Sequence, residues 1–177
     1  VTNISGALKP YVKREKWEKK QKIDEELAKI AVDPGVYLPS NPESIVLDID
    51  YQSGRPLQSA AKAPFMATFK VRPKDEPTAM PTWQSVIFKV GDDCRQDVLA
   101  LQLITAMKNI FESIGLNLYF FPYRVIATGP GCGVIEVIPN AISRSQLGLE
   151  KINSLYEYFT FKFGNEQSPK FAQVFSI

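Results

Sequence analysis

Lys89 stands in an apolar run, Ile87-Phe88-Lys89-Val90. The chain then turns through Gly91, Asp92 and Asp93 and reaches Asp97. A lysine in such a run usually points to the solvated face of a strand. Here a carboxylate follows at the start of the next helix, and the two can meet as an ion pair. That pair would hold the ammonium extended, and a fixed positive charge is what a phosphate needs nearby. No glycine-rich cradle accompanies it, neither GxGxxG nor GxxxxGK[ST]. The remaining candidate for a phosphate loop is SAAKAP, residues 59–64, with small side chains, backbone amides and Lys62. By its chemistry alone this segment reads equally well as a plain hairpin turn.

Several other chemistries are excluded. The 177 residues contain no histidine, which removes Ser-His-Asp and Cys-His catalysis, histidine zinc sites and histidine proton relays. Cys94 and Cys132 form no CxxC pair and no disulfide framework, so they read as reduced thiols of a cytosolic protein. With 21 basic and 19 acidic side chains the net charge is +2, which argues against a dedicated nucleic-acid binder. No apolar run approaches the ~20 residues that span a bilayer. The chain begins at Val1 without a signal-peptide core, so it is expected to be either processed or a piece of something longer. With 45% hydrophobic and 23% charged residues it can bury a core.

The elements that must position these residues are legible in outline. Residues 10–31 read as one helix of strong helix formers, with Pro10 in its first turn. Trp17, Ile23, Leu27 and Ile30 form its sparse apolar stripe. From Lys13 to Lys22 six basic and two acidic residues give a local +4. A membrane-surface or RNA role for this stretch competes with a solvated face laced by ion pairs. Strands are expected at 45–49, 65–71, 85–90, 116–121 and 133–138. Ser53-Gly54 reads as a turn between the first two, and Gly129-Pro130-Gly131 as a tight turn before the last. From Asp92 to Ile114, apolar residues recur at 3.6-residue spacing through Leu99, Leu103, Met107 and Ile110. That pattern predicts a long helix with Asp92 and Asp93 at its start and Gly115 at its stop. A further helix is expected over 149–161, ended by Gly164. Together, several short strands around one long helix, with short links, describe an α+β unit.

The wording of these segments carries a resemblance. IFKVGDDCRQDVLALQLI resembles the signature of the phosphatidylinositol 3- and 4-kinase superfamily. SGRPLQSAAKAPFMATFKV, FFPYRVIATGPGCGVIEVIPNAISRSQLG and GVYLPSNPE resemble its type III alpha phosphatidylinositol 4-kinases. The resemblance runs from about residue 10 to the end of the chain. It implies an α+β kinase N-lobe over 41–138, a five-stranded antiparallel sheet with one long helix, preceded by the end of a helical region over 1–40. The hinge exit and the start of the helical C-lobe would follow over 139–177. It also implies that Lys89 contacts the α-phosphate of ATP, with Asp97 as its partner on the helix. Ser59, Ala60, Lys62 and Pro64 would belong to the phosphate loop. Tyr123 would line the back of the adenine pocket, and Ile135 would stand in a gatekeeper-like position. Glu136, Val137 and Ile138 would form the hinge, and Asn140 and Ser143 would lie at the pocket mouth.

The family's catalytic loop with its Asp-Arg-His-Asn pattern, its Asp-Phe-Gly motif and its activation loop do not occur in these residues. The ligands of Mg²⁺ are therefore expected beyond the last residue, and the piece alone is expected to be inactive. The resemblance implies ATP and a phosphatidylinositol membrane as partners, with scaffold proteins possible and no nucleic acid. It also implies a cytoplasmic enzyme, peripheral at the plasma membrane. Two other functions compete: a non-catalytic nucleotide-binding or interaction module, and a membrane-surface docking module built on the basic stretch 13–22.

Overall fold

The alternation Phe65-Met66-Ala67-Thr68-Phe69-Lys70-Val71 is the clearest strand signal in the sequence. In the computed structural model, which describes residues 1–57 and 63–175, it forms β2 (Phe65–Pro73). Phe65, Ala67, Phe69 and Val71 are buried, and the residues between them are partly exposed. This is the period of two that a pleated strand imposes. Around it stand β1 (Ser44–Pro56), β3 (Thr82–Val90), β4 (Val125–Gly129) and β5 (Cys132–Glu136). All pair antiparallel, in the order β1-β2-β3-β5-β4. The α+β class and the five-stranded antiparallel sheet expected from the sequence are what the chain forms.

The chain divides into two compact units. The first joins Val1–Ala106 to Pro122–Val137, and the second joins Met107–Phe121 to Ile138–Ile177. In the first, one sheet face is covered by α1 (Ile4–Leu8) and α2 (Lys16–Leu27). Ile4, Leu8, Ile23 and Leu27 pack there with Phe65, Phe69, Val86, Phe88 and Val134. Phe65 and Phe88 stack with centroids 5.1 Å apart, and Phe69 meets Phe88 edge-on at 6.1 Å. A second, smaller cluster joins Cys94, Leu101 and Val125 to Val98, Ile104, Tyr123 and Ile135. Val134 belongs to the first cluster and Ile135 to the second, so the two clusters lie on opposite faces of the sheet.

The expected helix over 10–31 is shorter and interrupted. Lys9–Tyr11 is a 3-10 turn, and α2 starts at Lys16 after an extended Glu15. The Glu18 carboxylate accepts the Glu15 backbone N–H at 3.0 Å, which fixes that start. Its charges are largely paired along the helix. Lys20 reaches Asp24 at 2.5 Å and Lys22 reaches Glu26 at 2.7 Å, while Arg14 and Glu18 stand 3.9 Å apart. Ser53-Gly54 is no turn. β1 runs through it to Pro56, with an irregular register between Asp50 and Arg55.

Residues 116–121 are not a strand. The Leu116 N–H bonds back to the Phe111 carbonyl at 2.9 Å, and Phe120 stacks on Phe111 at 5.7 Å. The segment therefore folds onto the end of α3 (Arg95–Ser113), and the fourth strand begins at Val125. The stripe Leu99, Leu103, Met107 and Ile110, whose spacing identifies α3, is more than half exposed. Leu101 supplies the buried contact instead. Gly131, with φ +65°, closes the turn between β4 and β5 as expected.

In the second unit, the helix expected over 149–161 starts only at Leu155, as α5 (Leu155–Phe163), and a separate α4 (Arg144–Leu149) precedes it. Ser154 caps α5 by accepting the Glu157 N–H at 3.0 Å. The Ser-x-x-Glu spacing was the signal for this start. Gly164 ends α5 as expected, with φ +93°. Phe171 and Phe175 of α6 (Pro169–Phe175) stack on each other and meet Tyr156 edge-on.

Candidate functional site

Ladder register decides which way Lys89 points. Across from it on β5 stands Gly133, and across from Ile87 stands Ile135. Directly opposed residues share a face, so Lys89 lies on the face of Ile135, the one that carries Cys94 and the first turns of α3. The Nζ of Lys89 is 3.9 Å from Oδ2 of Asp97, which sits in the first turn of α3. The two side chains are 30% and 47% exposed. A pair this open contributes about 0.2–1 kcal/mol to stability. It orders the lysine more than it holds the fold.

The neighbouring acid is engaged elsewhere. Both carboxylate oxygens of Asp93 accept the Nε–H of Arg95, each at 2.9 Å. The Asp93 carboxyl is held down to about 2, chiefly by the Arg95 guanidinium and then by the Arg95 backbone N–H. Burial pushes the Cys94 thiol up, against the lowering pull of Lys89.

Tyr123 and Ile135 pack into the cluster on the same face as Lys89. Beyond Ile135 the strand end is held by a network that the sequence reading missed. The Glu136 N–H donates to the Arg124 carbonyl at 2.8 Å, and the Arg124 N–H donates to the Glu136 carboxylate at 2.9 Å. The Arg124 guanidinium reaches Glu43 at 2.7 Å and the Ser40 carbonyl at 3.1 Å. It holds the Glu43 carboxyl below its ordinary range. The Val137 N–H donates to the Ser85 carbonyl at 3.2 Å. A lone arginine inside the apolar run FFPYRVI was the available signal.

Pro64 is buried just before β2, and its carbonyl accepts the Leu57 N–H at 3.0 Å. Ser59, Ala60 and Lys62 lie outside the described residues. Ile138, Asn140 and Ser143 belong to the second unit. There Asn140 adopts φ +54°, a conformation asparagine tolerates. The Ser143 hydroxyl accepts the Gln146 N–H at 3.1 Å as the cap of α4. Among the described residues no three His, Cys, Asp or Glu side chains come together as metal ligands.

The family model for phosphatidylinositol 3- and 4-kinases matches residues 83–175, from β3 through α6. The phosphatidylinositol 4-kinase STT4 of Saccharomyces cerevisiae is 64% identical over 97% of this chain and 9% of its own length. The phosphatidylinositol 4-kinase alpha 1 of Arabidopsis thaliana is 49% identical over 97% of this chain and 8% of its own. The phosphatidylinositol 3-kinase 3 of Dictyostelium discoideum is 34% identical over 88% of this chain and 9% of its own. The chain thus spans under a tenth of the length of these relatives. The family model's match to residues 83–175, a segment that includes the strand lysine and its helix acid, makes this chain a member of the phosphatidylinositol 3- and 4-kinase family.

Proposed function

We propose that this chain grips ATP as part of a phosphatidylinositol 4-kinase, which phosphorylates the 4-hydroxyl of phosphatidylinositol. The observation that carries this reading is the Lys89–Asp97 pair at 3.9 Å. It offers an oriented ammonium on the β3–β5 ladder, whose far end Arg124 and Ser85 hold, and phosphoryl transfer runs on such positioning and charge neutralisation. Lys89 would meet the α-phosphate. Tyr123 and Ile135 would flank adenine, and main-chain groups of Glu136 and Ile138 would hydrogen-bond to it, with Val137 between them in the hinge. Ser59, Ala60, Lys62 and Pro64 would cover the phosphates, with Asn140 and Ser143 at the mouth. The division into 1–40, 41–138 and 139–177 follows these roles. Mg²⁺ would neutralise phosphate charge in this chemistry. Identities of 64% and 49% with 4-kinases, against 34% with a 3-kinase, favour the 4-position.

The lipid substrate is embedded in a membrane, so the whole enzyme would work from the cytoplasm as a peripheral protein at the plasma membrane, where scaffold proteins could hold it. Among the described residues no helix is long and apolar enough to cross a membrane. The 177 residues hold neither histidine nor an Asp-Phe-Gly motif, so by themselves they are expected to bind nucleotide without turning it over. Isothermal titration with ATP tests the reading. Lys89→Ala should weaken binding by about tenfold or more, the contribution of a charge-assisted hydrogen bond. An affinity unchanged by that substitution overturns the assignment.

A further inference from the structure

We infer that Cys94 and Gly133 act as a positioning pair, setting the distance between Lys89 and Asp97; this rests on the reading of Lys89 as the phosphate-binding residue. Gly133 faces Lys89 across the β3–β5 ladder, so a side chain on it would project on the lysine's side of the sheet. That space is taken by Cys94. A Cβ placed on Gly133 would stand 2.5 Å from the Cys94 Sγ, 3.0 Å from its Cβ and 3.1 Å from the Ile126 carbonyl oxygen. Cys94 is 1% exposed and directly precedes α3. Its carbonyl accepts the Val98 N–H at 3.0 Å, the first hydrogen bond of that helix. A second tether lies beside it, where the Gly91 N–H donates to the Gly131 carbonyl at 2.6 Å. The start of α3 is therefore seated on the bare backbone of β5, three residues before Asp97.

An added methyl must push that seat outward. Carbon-like contacts settle near 3.5–4.0 Å, so relief from 2.5 Å requires a movement of about 1 Å. The Lys89–Asp97 separation is already 3.9 Å. A further ångström ends the direct pair and frees the lysine from its fixed direction. Gly133 and Cys94 touch no nucleotide in this account; they act through Asp97 on Lys89.

The test is zero-length carbodiimide crosslinking, which condenses the Lys89 amine with the Asp97 carboxylate and is read by peptide mass spectrometry. Titration with ATP runs in parallel. Wild type should crosslink, and Gly133→Ala should lower the yield several-fold and weaken ATP by about tenfold, as the loss of one charge-assisted contact does. Cys94→Gly removes the two nearest obstructing atoms and leaves the Ile126 carbonyl at 3.1 Å, a contact relieved by a few tenths of an ångström. Combined with Gly133→Ala it should restore both signals. On a Lys89→Ala background Gly133→Ala should cost no further ATP affinity, whereas damage of a merely structural kind would persist there. A Gly133→Ala protein that crosslinks like wild type overturns the inference, as does a wild type that does not crosslink. If Gly133→Ala fails to fold and the double variant folds, the Cys94 contact is the cause; a double variant that also fails to fold overturns the account. Crosslinking as expected with no ATP binding in wild type would refute the nucleotide reading and leave the positioning pair standing.

Discussion

Gly54→Ala should destabilise the first unit although it adds only one methyl group. Gly54 is where α2 lies across β1. Its N–H donates to Oδ1 of Asp24 at 2.9 Å, and Asp24 in turn pairs with Lys20 at 2.5 Å. Lys20 also donates to the Gln52 carbonyl at 2.8 Å. A Cβ on Gly54 would press into the Asp24 carboxylate and stand 2.6 Å from Cγ2 of Ile23. Ordinary carbon contacts lie near 3.5–4.0 Å, so the helix must move by about 1 Å. Ile23 is fully buried, which leaves it no free direction. Overpacking of this kind costs about 1–3 kcal/mol. Weakening a hydrogen bond to a carboxylate adds part of its contribution of about 1.5–3 kcal/mol. The reduced freedom of alanine in the unfolded chain offsets about 0.4–1 kcal/mol. The net loss is about 2 kcal/mol, or a Tm lower by about 8 °C. Gly6→Ala is the control of opposite sign, because a Cβ there meets nothing within 4 Å. It lies on an exposed position of α1 and should gain about 0.5–1 kcal/mol. Urea unfolding followed by circular dichroism measures both. A Gly54→Ala protein as stable as wild type would refute the close approach of α2 to β1.

Two further outcomes follow from the site and the long helix. Asp93 has its folded pKa lowered to about 2 by Arg95. Its stabilising contribution is therefore complete above the unfolded aspartate value near 3.9 and disappears as pH falls through about 2. Carboxyl chemical shifts followed by NMR should show this depressed midpoint, and Arg95→Ala should return it toward the ordinary value. A midpoint near 3.9 in wild type would exclude the pair. Leu99, Leu103, Met107 and Ile110 form an apolar stripe that is more than half exposed on α3, so the isolated chain should self-associate. Leu103→Glu with Ile110→Glu should lower the mass seen by light scattering without lowering Tm; a loss of Tm would mean the stripe is buried.

Strands were legible where one face is buried and the other is not. The residues of β2 alternate because each second side chain meets the Phe65–Phe88–Phe69 core. The segment 116–121 misled for the complementary reason. Its aromatic residues satisfy strand propensity equally well by packing on a helix end, as Phe120 does on Phe111. Ser53-Gly54 misled because glycine serves a turn and a close approach alike, and only Asp24, 30 positions earlier, distinguishes them.

The lysine–acid pair is local in sequence and was therefore visible. A lysine in a strand, an acid a few residues into the next helix and a Gly-Pro-Gly turn are each set by short-range backbone preferences. The sequence by itself determined the α+β class, four of the five strands, the lysine–acid pair and the family resemblance. Tertiary structure alone decided what surrounds that pair. Cys94 fills the space above Gly133, 39 positions later, and Arg124 joins Glu43 to Glu136 across 81 and 12 positions. Those contacts are made by chain folding rather than by neighbours in sequence, and no local periodicity encodes which small residue leaves room for which side chain.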